Sequence, residues 1–340
     1  MKNSKKIKIF IVEDSHYIKD YLKKNLQDTF EIVGEASDGV AALKSVFSAK
    51  PDVVLLDLMM PKMNGDVVAK AIIATNPIPI IILTSLTEEE IKRSFGLLEN
   101  YVVDIVKKPL DLNDEFIKIL NRKIIGASNL KLHSFGKPLL QEVDEAESVN
   151  AISGFLLTIG VSTGGPKTLR QIMPKLSSVK NLPILIMQHI EKGFEKSYVD
   201  WLRGFCLKEV LLVDGKLKVD DKIYVCPPDK NIELSTRNGS LIFVLKNIEN
   251  NQLYYPSIDN ILDNFADKLK NKLIHLQLTG LGNDGQTGAK KAKELGATII
   301  CENPENAIAS SMPESVRDFA DYVVEISDIS KKIIEVVSRK

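Results

Sequence analysis

FLLTIGVSTGGPKTLRQIM, from Phe155 to Met173, reads as an apolar strand, a tight turn and a helix. The apolar run stops at Ser162, and Gly160, Gly164 and Gly165 surround that stop. Glycine permits a sharp bend and a close approach of backbone to a neighbour. Pro166 suits a first helical turn, where its missing N–H leaves no bond unmade. A short strand without polar alternation that runs directly into a helix is the unit of a parallel α/β sheet. Ser162 therefore stands at the carboxyl end of a strand, near a helix N-terminus whose free N–H groups favour negative charge. The segment has neither the GK[ST] ending of a P-loop nor the GxGxxG spacing of a dinucleotide turn. On this segment alone three readings stand: a nucleophile, a phosphate-cradling loop, or a serine that caps its helix.

Two further segments have the same form. PILIMQH ends at His189, and HLQLTGLGNDG carries Asp284 in a glycine-rich turn. Open parallel sheets gather their ligands at the carboxyl ends of the strands. A hydroxyl, an imidazole and a carboxylate on that edge are the parts of a serine hydrolase. The chain has four histidines. His16 lies near the amino terminus, His133 falls between the two halves, and His275 is inside an apolar strand and reads as core. Only His189 ends a strand near Ser162, within the reach a general base needs. Gly280, Gly282 and Gly285 supply a nest of N–H groups suited to an oxyanion, with Asp284 beside it to orient His189. A satisfied histidine at a strand end and an Asx turn at Asp284 are the plainer alternatives. The order Ser…His…Asp differs from the Ser…Asp…His of α/β-hydrolases, so a triad here predicts a different fold.

Working outward, the second half continues with VLLVD, KIYVCPP, LIFVL, ATIICEN and DYVVEI. Between Glu209 and Leu245 short strands follow one another without helices, which predicts hairpins and a partly mixed sheet. In the first half IKIFIV, FEIVGEA, DVVLLDL, IPIIILTS and YVVDIV alternate with helical spacings, the pattern of a doubly wound five-stranded parallel domain. From Gly126 to about Ala151 no period is sustained. The expected organisation is a first domain over 1–125, a linker over 126–151 and a second α/β, doubly wound domain over 152–340.

Glu13 and Asp14 follow the first strand, and Asp57 ends the third. In a doubly wound sheet these strands are neighbours, so three carboxylates share one pocket and require a hard divalent cation, most simply Mg²⁺. Thr84 ends the fourth strand and Lys108 the fifth. A hydroxyl, an ammonium and Mg²⁺ around one carboxylate are equipment for receiving a phosphoryl group.

IVED, LLDLMMPKMNG, ILTS and VKKPLD, in this order, resemble the receiver domain of two-component response regulators, a flavodoxin-like fold. The resemblance implies Asp57 as phosphoacceptor, Glu13, Asp14 and Asp57 as Mg²⁺ ligands, and Thr84 and Lys108 as phosphoryl contacts. Ile105 stands where many receivers have an aromatic residue, and Glu99-Asn100-Tyr101 replaces a usual Gly-Ala pair. GVSTGGP, MQHIEKGF, KIYVCPPDKNIEL, PSIDNIL, LTGLGNDGQTGA and SSMPESV are similar to the catalytic domain of the chemotaxis methylesterases. That family joins receiver, linker and esterase in this order. Its members are protein-glutamate methylesterases and protein-glutamine glutaminases. They hydrolyse glutamate methyl esters on the cytoplasmic part of chemoreceptors and deamidate selected glutamines there.

The resemblance implies Ser162 as nucleophile, His189 as base, Asp284 as its orienter, Thr163 as support and the Leu281 N–H as oxyanion donor. No cofactor is implied for the ester chemistry. A chemotaxis histidine kinase is the implied phosphodonor, and methylated receptors are the substrate. Asn231 replaces a histidine common in the family, and Ser311 a usual glycine. The domain order implies that phosphorylation of Asp57 opens the catalytic edge to a protein substrate. The alternative is a response regulator whose output domain is a catalytically inactive binding module.

Composition narrows the classes. Lys+Arg and Asp+Glu both number 45, so no basic surplus points to nucleic acid or an anionic membrane surface. No segment approaches the roughly 18 apolar residues of a membrane span. The basic start MKNSKK leads into a short strand that runs into acids, not into a signal peptide. Three scattered cysteines show neither metal-ligand spacing nor a disulfide framework. A cytoplasmic enzyme without membrane insertion is the expectation.

Overall fold

The β-branched runs of the first half become β1 (Lys8–Val12), β2 (Glu31–Ala36), β3 (Val53–Asp57), β4 (Ile80–Thr84) and β5 (Asp104–Lys107). The computed structural model describes residues 6–85, 96–97, 102–130, 151, 154–248 and 254–338. The chain forms two compact units, Met1–Pro138 and Leu139–Lys340. In the first, all strand pairs are parallel, in the order β2-β1-β3-β4-β5. β3 and β4 are buried at every residue, which is why their sequences are unbroken apolar runs. Helices His16–Leu26, Gly39–Ala49, Gly65–Thr75 and Asp114–Ser128 accompany the sheet. Ser15, Asp38 and Asn113 cap three of them by accepting the N–H groups of Ile18, Ala41 and Phe116. The chain reverses its direction of travel between β1 and β3, so the ends of those strands share one rim.

The last helix of this unit ends at Ser128, three residues beyond the expected boundary at 125. The helix thus runs past Gly126, where the sequence loses its period. The residue is tolerated because glycine within a helix costs only about 1 kcal/mol and Gly126 and Ala127 are buried on the packed face. The rest of the expected linker from 131 to 150, with His133, and Glu99-Asn100-Tyr101 lie outside the described residues.

The second unit contains β6 (Leu156–Val161), β7 (Ile184–Gln188), β8 (Val210–Leu212), β9 (Lys216–Lys218), β10 (Ile223–Val225), β11 (Lys230–Arg237), β12 (Ser240–Asn247), β13 (Leu273–Gln277), β14 (Thr298–Glu302) and β15 (Tyr322–Val324). Seven of them form one sheet, β15-β14-β13-β6-β7-β10-β8, in which every pair is parallel. The expected hairpin is present, but it does not mix into that sheet. β11, β12 and β9 form a separate antiparallel sheet. Asn238 and Gly239, both at positive φ, make the two-residue turn between β11 and β12. The hairpin buries Ile232, Leu234 and Phe243 against the Ile258–Leu269 helix, with Phe243 stacked 5.8 Å from Phe265. Its apolar face is thus satisfied by a helix, and no strand edge is needed.

From β6 the chain builds outward through β7, then returns to the other side of β6 with β13. The switch point of the sheet lies between β6 and β13, where open α/β sheets bind their ligands. Among the described residues no helix is long and apolar enough to cross a membrane.

Candidate active site

Ser162 follows β6, His189 follows β7 and Asp284 lies in the turn after β13. Because β13, β6 and β7 are parallel neighbours, the three residues come to one edge. The His189 N–H donates to Val161 O at 3.0 Å, which ties the base to the residue before the nucleophile on the adjacent strand. Gly164, at φ 80°, turns the chain directly into the Gly165–Leu176 helix. His189 Nε2 lies 2.8 Å from Asp284 Oδ2. The carboxylate acceptor assigns the ring proton to Nε2 and leaves the Nδ1 lone pair to serve as base. The imidazole also stacks on Tyr254, with ring centroids 5.3 Å apart and planes 11° from parallel.

Asp284 is 2 % exposed and holds more than the histidine. Its Oδ2 accepts from Ile258 N at 2.9 Å and its Oδ1 from Asp259 N at 3.0 Å. These are orphan N–H groups at the start of the Ile258–Leu269 helix, so the positive end of that helix faces the carboxylate. The start of the helix is fixed in turn by Ser257 Oγ, which accepts from Asn260 N, and by Asn231 Oδ1, which accepts from Ser257 N. Asn231 therefore acts on the helix that carries the Asp284 contacts.

The turn before Asp284 lies against the nucleophile. A Cβ on Gly280 would come 2.8 Å from Ser162 Cβ and 2.0 Å from Met312 Sδ, so only glycine lets the turn approach. Thr279 fastens it: Thr279 O accepts from Ser162 N at 3.0 Å, and its hydroxyl donates to Thr163 O at 2.9 Å. Thr163 is buried and enters this network through its carbonyl. The glycine nest is partly consumed from within. Gly280 N donates to Ala309 O and Gly282 N to Ser311 Oγ. Gly280 O accepts from Met312 N and from Ser311 Oγ, each at 3.1 Å. Since the peptide is planar and trans, pinning that carbonyl aims the Leu281 N–H the opposite way. Among the described residues this N–H has no acceptor.

Sequence reasoning passed over a buried chain beneath the site. His275 Nδ1 lies 3.1 Å from Thr158 Oγ1, His275 Nε2 is 2.7 Å from Gln277 Oε1, and Gln277 Nε2 donates to Asp284 O at 2.9 Å. His275 and Gln277 alternate on one face of β13, and two polar residues at that spacing in an apolar strand are the signal that was available. Burial pushes His275 down to about 4. Above about pH 6.5 the residue is neutral in both folded and unfolded chains, and below it only the unfolded chain gains the proton. We expect stability to fall between pH 6.5 and 4 by at most about 3 kcal/mol on this account. Glu302, pushed up to about 7 by burial, titrates with the opposite sign. The difference in urea midpoint between wild type and His275→Gln across that range isolates the histidine, and parallel curves would contradict it.

The first unit gathers its own cluster. Ligand oxygens of Glu13, Asp14 and Asp57 lie within 4.8 Å of one another. Lys108 Nζ is 2.8 Å from Asp57 Oδ2 and 3.2 Å from Glu13 Oε2. Burial raises Glu13 to about 7 against the pull of Lys108, and raises Asp57 as well. Burial would depress Lys108, but Asp57 and Glu13 outweigh it and hold its pKa above the ordinary lysine value. One ammonium does not neutralise three carboxylates, and the donors are all hard oxygens, so the residues fit Mg²⁺. Thr84, fully buried at the end of β4, receives the Lys108 N–H on its carbonyl at 2.8 Å. A Cβ on Gly65 would come 2.1 Å from Asp57 O, so the glycine of LLDLMMPKMNG keeps that strand end in place.

Comparison with known proteins bears on both units. Residues 157–333 match the family model described as CheB methylesterase, and residues 9–120 match the response regulator receiver domain. A protein-glutamate methylesterase/protein-glutamine glutaminase of Thermotoga maritima is 32 % identical, over 97 % of this chain and 98 % of its own. A relative of the same description from Carboxydothermus hydrogenoformans is 34 % identical over 96 % and 98 %. The crystal structure of the Thermotoga maritima CheB methylesterase catalytic domain is similar at TM-score 0.52 and 36 % identity, covering 55 % of this chain and all of that one.

Proposed function

The chain belongs to the CheB methylesterase family, and on that footing we propose that it is a receiver-regulated serine hydrolase that removes methyl esters from receptor glutamates and deamidates selected glutamines. The observation that carries the chemistry is the 2.8 Å pair of His189 and Asp284 on the strand edge that also bears Ser162. An inert binding module has no observation in its favour, because Ser162, His189 and Asp284 stand together on one strand edge.

Ser162 Oγ attacks the γ-carbonyl carbon of a glutamyl methyl ester while His189 takes its proton. The C–O bond to methoxide breaks, and the same proton passes to the leaving oxygen to give methanol. Water, deprotonated by His189, then hydrolyses the acyl-enzyme and restores Ser162. With a glutamine side chain ammonia leaves instead. The oxyanion formed at each addition is held by the Leu281 N–H, with Thr163 supporting the turn. Asp284 stabilises the imidazolium formed in each half.

In the receiver unit Asp57 takes a phosphoryl group from a histidine kinase. Glu13, Asp14 and Asp57 would hold Mg²⁺, which would offset the charge of the phosphoryl oxygens. Lys108 offsets it from the other side, and Thr84 contacts the transferred group. Methylated chemoreceptors are the substrate partner, and the site of action is the cytoplasm.

The test is release of volatile methanol from membranes bearing methylated receptors, with and without acetyl phosphate and Mg²⁺. Release above background, raised by the phosphodonor, is expected; none under either condition would sink the proposal. In Asp57→Asn the increase with phosphodonor should vanish, and its persistence would show that the acceptor lies elsewhere.

A further inference from the structure

We propose that Gln188 is a positioning residue for this reaction, a single amide that sets the spacing between nucleophile and base; the inference rests on the triad reading above. Gln188 is the last residue of β7 and is 2 % exposed. Its Nε2 donates to Ser162 O at 2.9 Å and to His189 O at 3.2 Å. Both partners are carbonyl oxygens, so the atom between them must be the nitrogen, and its two hydrogens are both used. Oε1 faces Tyr198 Oη, a donor, at 3.4 Å, which agrees with that orientation. Tyr198 is itself fully buried, so the amide is anchored in the core.

A second observation is independent of these bonds. A Cβ on Gly165 would come 2.3 Å from Gln188 Oε1. The second glycine of the nucleophile turn is therefore the one that makes room for this amide. The turn and the amide fit each other, and the turn is what presents Ser162.

The consequence is geometric. Neighbouring parallel strands diverge at their ends, where the ladder stops. Here one nitrogen bonds the main chains of both reacting residues just past the last ladder pair, Val161 and Gln188. The His189 ring is fixed at its far side by Asp284 and Tyr254. The His189 backbone is held on the N–H side by Val161 O, and Gln188 holds the carbonyl side. A misplacement of about 1 Å between reacting groups costs about 100-fold in rate.

The experiment compares wild type, Gln188→Met and Gln188→Asn in the methanol-release assay, with Ser162→Ala as control. Met keeps length and bulk without donors; Asn keeps the amide but withdraws it by a methylene. We expect kcat to fall about 30-fold in both, with KM within twofold, since the strand end offers nothing new to substrate. The rate of Ser162 labelling by a fluorophosphonate should fall by a similar factor. Rates are taken per folded molecule, with the folded fraction read from a urea titration. If Gln188→Met does not fold, Gln188→Asn is read by the same criteria. A kcat within threefold of wild type, or a loss confined to KM, overturns the clamp. Undiminished methanol release by Ser162→Ala would instead overturn the triad reading itself.

Discussion

Ser162→Ala lowers kcat for methyl-ester hydrolysis by about 10⁶-fold, the loss found when a triad nucleophile is removed, and leaves thermal stability unchanged. The two halves of that expectation come from different atoms. The Oγ is the group that bonds to the substrate carbon, so no neighbouring residue replaces it. The Cβ is what packs against Gly280, at a distance that already excludes any other residue there, and alanine retains it. The backbone bonds of Ser162, its N–H to Thr279 O and its carbonyl from Gly165 N and Gln188 Nε2, are untouched by the substitution. A change in stability of no more than about 0.5 kcal/mol is expected for a side-chain oxygen outside the packing. Methanol release and a thermal melt of the same sample check both. Activity within tenfold of wild type would remove Ser162 from the chemistry, and a large fall in the melt would make its loss uninformative.

The parts of this molecule that follow from strand ends were legible in the sequence. Apolar runs that stop at Ser162, His189 and Asp57 report the carboxyl edge of a parallel sheet directly, because a strand buried on both faces reads as a near-continuous apolar run until it leaves the core. What was not legible depends on contacts across the fold. Gln188 sits beside the histidine in MQH, yet nothing local says that its amide reaches Ser162 as well. Tyr254 precedes the PSIDNIL segment, and its stacking on His189 joins two segments far apart in the chain, as does the bond from the Ile258–Leu269 helix start to Asp284. Ser311 and Asn231 read as departures from a family pattern; in the fold Ser311 fastens the turn around Leu281 and Asn231 the start of that helix. The hairpin was visible in the short strands without helices between Glu209 and Leu245, but neither its turn at Asn238-Gly239 nor its separation from the main sheet, with Phe243 stacked on Phe265, was.

Asp284 should prove a residue whose removal costs activity and stability together. Removing the aspartate of a triad while keeping its shape lowers kcat by about 10⁴-fold elsewhere, through the wrong imidazole tautomer. Here the same carboxylate accepts three N–H donors, from His189, Ile258 and Asp259, on two oxygens. In Asp284→Asn one of those oxygens becomes an NH₂. If the nitrogen faces His189 and Ile258, the imidazole must present Nδ1–H to Ser162 and is no longer a base toward it. If the nitrogen faces Asp259, two donors meet at the helix start. Either orientation therefore costs a bond, and we expect a stability loss of about 1–3 kcal/mol; the first orientation also lowers kcat by about 10⁴-fold through the wrong tautomer, whereas the second keeps the tautomer and loses only the helix-start bond. Asp284→Ala leaves both helix N–H groups without the carboxylate and should lose at least as much stability, with kcat lowered as in the first orientation. Urea unfolding and methanol release on the three proteins decide the matter. A melt unchanged in Asp284→Ala would mean the helix start finds other acceptors, and a kcat within tenfold of wild type in Asp284→Ala would mean His189 is oriented by Tyr254 and its backbone alone.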